Sequence, residues 1–162
     1  FRSRRDLLPL LRRASSPAWY IVALGASLAT FTVASLVVSG LTKMFDVPAV
    51  HYSDRLLIDG YGWTWVVLLV CIQPGVFEEL AFRGVIQSSL QRVVGTTEAL
   101  VSTALMFGIL HLSIPSMPHL VLIGLVLGWL RVRTGSLYPG MLMHFSHNLL
   151  VVLSERWEFL PW

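Results

Sequence analysis

Apolar residues fall in five stretches separated by short polar breaks. Residues 18–40 carry no charge over 23 positions, enough to cross a hydrocarbon core of about 30 Å at 1.5 Å per residue. That length also exceeds the apolar region of a cleavable signal peptide, so the stretch reads as a retained helix. A polar loop over 41–60 follows, with Asp46, Pro48, Asp54, Arg55 and Asp59. The next run extends from Trp63 to about Leu90 and is interrupted by Pro74-Gly75. A proline inside a helix leaves a carbonyl one turn back without its donor, so a kink or a break is expected there. Three shorter segments, 97–112, 119–131 and 136–153, complete the pattern, with Pro115, Pro118 and Gly135 in the turns between them. Such lengths are short for spanning helices and predict a thin, tilted or locally water-filled bundle.

Composition supports the same picture. Of 162 residues, 55% are apolar and 13% charged, about half the charge of soluble domains. Mean hydropathy is +0.70. Disorder, a coiled coil and an ordinary soluble globule are excluded, and the length fits one domain. The expected fold is all-α, a polytopic transmembrane helical bundle of about five spans with its catalytic core inside. The expected organisation is a basic juxtamembrane segment at 1–17, a leading transmembrane helix and loop at 18–60, a core at 61–153 and a tail at 154–162. The chain opens on Phe1, and the expectation is a trimmed segment with helices upstream. Cys71, the single cysteine, excludes an intrachain disulfide and a Cys-rich zinc site and is read as packing.

Charge placement orients these spans. The net charge is +3, and Arg2, Arg4, Arg5, Arg12 and Arg13 crowd the first thirteen residues. A nucleic-acid arm would show a similar run, but this one leads straight into an apolar span and reads as a topology signal. With the N-terminus cytoplasmic, Arg92, Arg131 and Arg133 also fall inside. The loop 41–60 and the tail, with Glu155, Arg156 and Glu158, are each net negative outside. Trp63, Trp65, Trp129, Trp157 and Trp162 sit near span ends as interfacial anchors.

The polar residues inside the apolar runs carry the chemistry. Glu78, Glu79 and Arg83 lie in mid-segment, where each uncompensated charge costs about 2.5–3.5 kcal/mol. Glu79 and Arg83 are four apart on one helix face, in the favourable acid-first order, and can satisfy each other. Glu78 points about 100° away from Glu79 and stays available. Phe107-x-x-x-His111 puts an imidazole near a helix end, and His144 and Asn148 share a face of the last helix. A lone histidine in a bundle is ordinarily a hydrogen-bond former, and an isolated Glu–Arg pair is ordinarily structural. His119 and His147 are read as facing solvent or the interface. A glutamate, two imidazoles and an amide from three segments are harder to explain as packing, because each buried polar group has a cost.

A carboxylate in a poorly solvated pocket can act as general base for water, and an imidazole can orient that water or shuttle its proton. A second imidazole with a carboxamide supplies donors for the oxyanion of a tetrahedral intermediate, each worth about 2.7–4 kcal/mol. The set amounts to a glutamate-dependent amide hydrolase. No G-x-S-x-G and no H-E-x-x-H occurs, and Ser146 lies on another face than His144. The competing class is a non-catalytic membrane protein, an immunity factor, a scaffold or a proton-coupled carrier, since intramembrane Glu and His also mark proton pathways.

Glu78-Glu79-x-x-x-Arg83, Phe107-x-x-x-His111 and His144-x-x-x-Asn148, in this order on successive apolar segments, resemble the CAAX-processing and bacteriocin-processing (CPBP) family of intramembrane endopeptidases, over about residues 62–153. The resemblance implies that Glu78 activates the hydrolytic water with His111, that His144 and Asn148 stabilise the oxyanion, and that Glu79 and Arg83 brace the site. It implies a larger helical fold of which this chain is the catalytic part plus one leading helix. The partners implied are the lipid bilayer and a polypeptide with a membrane-associated or lipidated C-terminal region; nucleic acid is not among them. Short loops point to a bacterial plasma-membrane protein that processes peptides, bacteriocins or sorting-tail proteins, with a site opening to the extracytoplasmic side. Two readings of the cofactor stay open. Glu78, His111 and His144 would make a His₂Glu zinc set, whereas the carboxamide suits a metal-free site.

Overall fold

The computed structural model describes residues 3–46, 51 and 53–157. Arg2, Pro48, Glu158, Trp162 and the side chains of Arg4, Arg5 and Asp6 lie outside that description. The described residues form seven helices and no strand: α1 (Ser3–Arg12), α2 (Pro17–Phe45), α3 (Asp54–Ile58), α4 (Trp63–Gln91), α5 (Thr96–Leu110), α6 (Met117–Thr134) and α7 (Tyr138–Trp157). The three helices α2, α4 and α6 are long and apolar enough to cross a membrane. The other two expected spans are helices as well. At 15 residues α5 is short, about 22 Å at 1.5 Å per residue, and α7 carries the polar groups of the last motif.

Turn chemistry sets the ends. Pro17 opens α2 and Pro118 lies in the first turn of α6, where a missing N–H costs nothing. Gly135 closes α6 at φ 63°, its N–H bonded to the Arg131 carbonyl at 2.9 Å. Within the segment 1–17, residues 3–12 form a helix. Leu10 is buried, its carbonyl accepts from Leu137 N–H at 3.3 Å, and Tyr138 Oη donates to the Leu11 carbonyl at 2.8 Å. Within the loop 41–60, α3 is held by Glu155, which accepts from Ser53 N–H at 3.0 Å and Ser53 Oγ at 2.7 Å. The last helix, α7, continues past Ser154 to Trp157.

Of the kink or break expected at Pro74, the break does not occur. The helix runs from Trp63 to Gln91, and Val67–Ile72 and Glu79–Ile86 adopt π-helical turns on either side of α-helical Gln73–Glu78. Wider π turns accommodate the lost hydrogen bond without a stop. The Val70 carbonyl, which an N–H at position 74 would otherwise fill, accepts instead from Asn148 Nδ2 at 2.9 Å. Cys71 is buried beside Val66 and Val152, as a packing residue.

Small residues let the helices approach. A Cβ on Gly124 of α6 would fall 2.9 Å from Ala104 Cα of α5, and one on Gly75 of α4 would fall 3.3 Å from Phe145 of α7. Close backbone contact of this kind replaces the hydrophobic drive that is missing between helices in lipid. It also exposes carbonyls. Arg83 Nη2 donates to the Gly124 carbonyl at 3.2 Å, and Gln87, one turn on, donates to the Gly128 carbonyl at 3.2 Å. Arg131 continues the seam by donating to Gln91 Oε1 and to Ser88 Oγ.

Candidate active site

Between α4, α5, α6 and α7 lies a cavity of about 280 Å³, near the lower end of small-molecule pockets. Glu78, His111, His144 and Asn148 all line it. Residues spread over seventy positions of sequence are thus brought together.

Glu79 and Glu78 divide the two tasks open to a carboxylate here. The Glu79 side chain is 1% exposed and its Oε1 accepts from Arg83 Nη1 at 2.8 Å. The same oxygen accepts from His144 Nδ1 at 3.0 Å. Glu79 packs behind the cavity wall, against Gly140, where a Cβ would fall 3.1 Å from Oε2. Glu78 is 33% exposed at its side chain and reaches the cavity, with Oε2 3.9 Å from His144 Nε2. That oxygen has no hydrogen-bond partner among the described residues. A buried acceptor left unmatched calls for a water or a ligand.

Phe107 and His111 show why a spacing of four is needed. His111 ends α5, and its Nδ1 bonds the Phe107 carbonyl at 2.7 Å, one of the orphan acceptors at a helix C-terminus. A carbonyl only accepts, so Nδ1 is the donor, and in the neutral ring Nε2 holds the lone pair. The Phe107 ring lies 4.6 Å from the Arg83 guanidinium, 4.6 Å from the His111 ring and 5.8 Å from the His144 ring. The first of these distances is that of a cation–π contact. Buried Arg83 therefore has a carboxylate, a carbonyl and an aromatic face around it.

His144 follows the same logic as His111. The carboxylate of Glu79, already holding Arg83, accepts from Nδ1–H and leaves Nε2 as the ring atom toward Glu78. Asn148 spends one amide hydrogen on Val70 and retains a second N–H and its oxygen. Among the described residues no three His, Cys, Asp or Glu side chains stand together as a metal-holding group.

Two expectations about the remaining histidines are corrected. His119 and His147 are both buried, and both line the cavity. Which face of α6 or α7 turns inward is set by neighbouring helices that are apolar on all sides, so spacing alone did not reveal it. Gln87 was also missed, although its position four residues after Arg83 and the Gly124/Gly128 pair four apart were visible signals. Residues 60–150 match the model of a family described as type II CAAX prenyl endopeptidase Rce1-like. None of the curated proteins and none of the solved structures gives a match.

Proposed function

Because the chain belongs to the Rce1-like family of type II CAAX prenyl endopeptidases, we propose that it is an intramembrane endopeptidase in which Glu78 activates water to split a peptide bond. The observation that carries this reading is the single cavity lined by Glu78, His111, His144 and Asn148. Glu78 takes a proton from the water through its unpartnered oxygen. His111 accepts the water's other hydrogen on Nε2 and so aims the lone pair at the substrate carbonyl. Asn148, with its remaining N–H, and His144, through Nε2, donate to the oxyanion. For His144 this requires a proton on Nε2 as well as Nδ1, and Glu78, 3.9 Å away, can hand on the one it took from water; when the tetrahedral intermediate collapses and the C–N bond breaks, that proton returns through Glu78 to the leaving amine. Glu79 and Arg83 hold His144 in place. No step in this scheme runs through a metal.

The substrate in this reading is a polypeptide with a membrane-associated or lipidated C-terminal region. We place the chain in a bacterial plasma membrane as a five-span protein, the N-terminus cytoplasmic and the cavity open to the outer side. Peptide, bacteriocin or sorting-tail processing would be its task. The test is cleavage by purified protein of a fluorogenic peptide ending in a prenylated cysteine and three further residues. Glu78→Gln should keep the helical circular dichroism and the elution profile and lose cleavage. Retained cleavage would overturn the reading, and retained biological activity without cleavage would favour a scaffold.

A further inference from the structure

Two imidazoles in the cavity have no part in the scheme above. His119, in the first turn of α6, is buried and its Nδ1 has no hydrogen-bond partner among the described residues. His147 is buried on α7, and its Nδ1 lies 3.1 Å from Thr30 Oγ1 of α2. The Thr30 hydroxyl hydrogen is directed to its own helix, where the Ala26 carbonyl lies at 2.8 Å and the Ser27 carbonyl at 3.1 Å. Its oxygen is therefore the acceptor and His147 Nδ1 the donor. The Ser27 backbone of the same helix also bonds this ring, and with Nδ1 as donor the neutral ring carries its lone pair on Nε2. Thr30 lies outside residues 60–150, so the leading helix contributes to the site through this bond.

The rest of the cavity wall is largely apolar, with Leu69, Leu120, Ile123 and Val151. An extended peptide entering such a space has backbone N–H groups without partners, and in a water-poor setting each must find an acceptor. We infer that His147, fixed by Thr30, accepts a hydrogen bond from one substrate backbone N–H beside the scissile bond, and that His119 Nδ1 takes a further backbone group of the same segment. Both are positioning residues for the peptidase reading, on which the inference rests. They select an extended backbone rather than a particular side chain.

The experiment uses the full chain in nanodiscs and the fluorogenic prenylated peptide, together with versions N-methylated singly at each amide flanking the scissile bond. His147→Phe should raise KM about tenfold with little change in kcat, the size of one hydrogen bond lost while its partner stays buried. His147→Gln, whose amide oxygen reaches the place of Nε2, should restore most of the loss. Thr30→Val should raise KM by a smaller factor. One N-methylated peptide should be discriminated about tenfold by the wild type and not at all by His147→Phe. An unchanged KM in His147→Phe, or equal discrimination of every peptide by both proteins, overturns the inference. If His147→Phe does not fold, the same comparison between wild type and Thr30→Val decides. Anisotropy binding of the peptides to Glu78→Gln separates the two levels. Methyl-sensitive binding without cleavage by the wild type sinks the peptidase reading and leaves the subsite, whereas methyl-insensitive binding sinks the subsite.

Discussion

Replacing Arg83 by methionine tests whether the buried charge cluster holds the site together. Arg83 is fully buried, 2.8 Å from Glu79, 3.2 Å from the Gly124 carbonyl and 4.6 Å from the Phe107 ring. Methionine keeps the bulk and removes the charge and both donors. Glu79 would then be a carboxylate, 1% exposed, with only His144 Nδ1–H on the oxygen it shared. Breaking a buried pair from one side costs about 3–5 kcal/mol. Stranding one charge at mid-span costs about 2.5–3.5 kcal/mol on an insertion scale. Both routes give a loss of about 3 kcal/mol, read by reversible unfolding in bicelles. Adding Glu79→Gln removes the stranded charge, so Arg83→Met/Glu79→Gln should regain about 2 kcal/mol over Arg83→Met alone. Cleavage should fall in both: the single variant frees Glu79 from the guanidinium that fixes it, and the double variant also takes the charged anchor from the His144 ring. A destabilisation of Arg83→Met below about 1 kcal/mol, or a double variant no more stable than the single, would refute the assignment of Arg83 as counter-charge.

Three further outcomes follow from the same geometry. Asn148→Asp keeps the shape but has no hydrogen for Val70 or for an oxyanion; kcat should drop by about 10²–10³, checked by steady-state cleavage with KM measured alongside. Gly124→Ala puts a methyl 2.9 Å from the Ala104 backbone, so α5 and α6 must part at a cost of about 1–3 kcal/mol, visible as a lowered midpoint in the same unfolding assay. Reporter fusions after Trp157 should be active in the extracytoplasmic compartment and fusions before Pro17 in the cytoplasm; the opposite pattern would invert the proposed orientation.

The apolar stretches and the Glu79–Arg83 pair were legible because both rest on periodicity within one segment. A spacing of four fixes a neighbour wherever the helix goes. What passes between segments was not legible in the same way. The two π turns of α4 and the inward faces of His119 and His147 depend on which surface the neighbouring helices cover, and α2, α5 and α6 are apolar all round. The docking of α1 was hidden for another reason. The five arginines clustered in the first thirteen residues mask the Leu7 and Leu10 positions that rest against the bundle, Leu7 on Gly84 and Leu10 beneath Leu137. The Gly124/Gly128 pair on α6 was a readable hint of a close seam, but its partners Arg83 and Gln87 emerge only once the two helices are set side by side.

Phe107 ties three stretches of chain into a single object by two independent joints. Its backbone oxygen anchors one imidazole, and its ring is the seat of the guanidinium that steadies the other through Glu79. An aliphatic side chain at this position would spare the first joint and dissolve the second. The three motifs therefore behave as one keystone arch and not as separate signatures, and damage to any limb is felt at the far end.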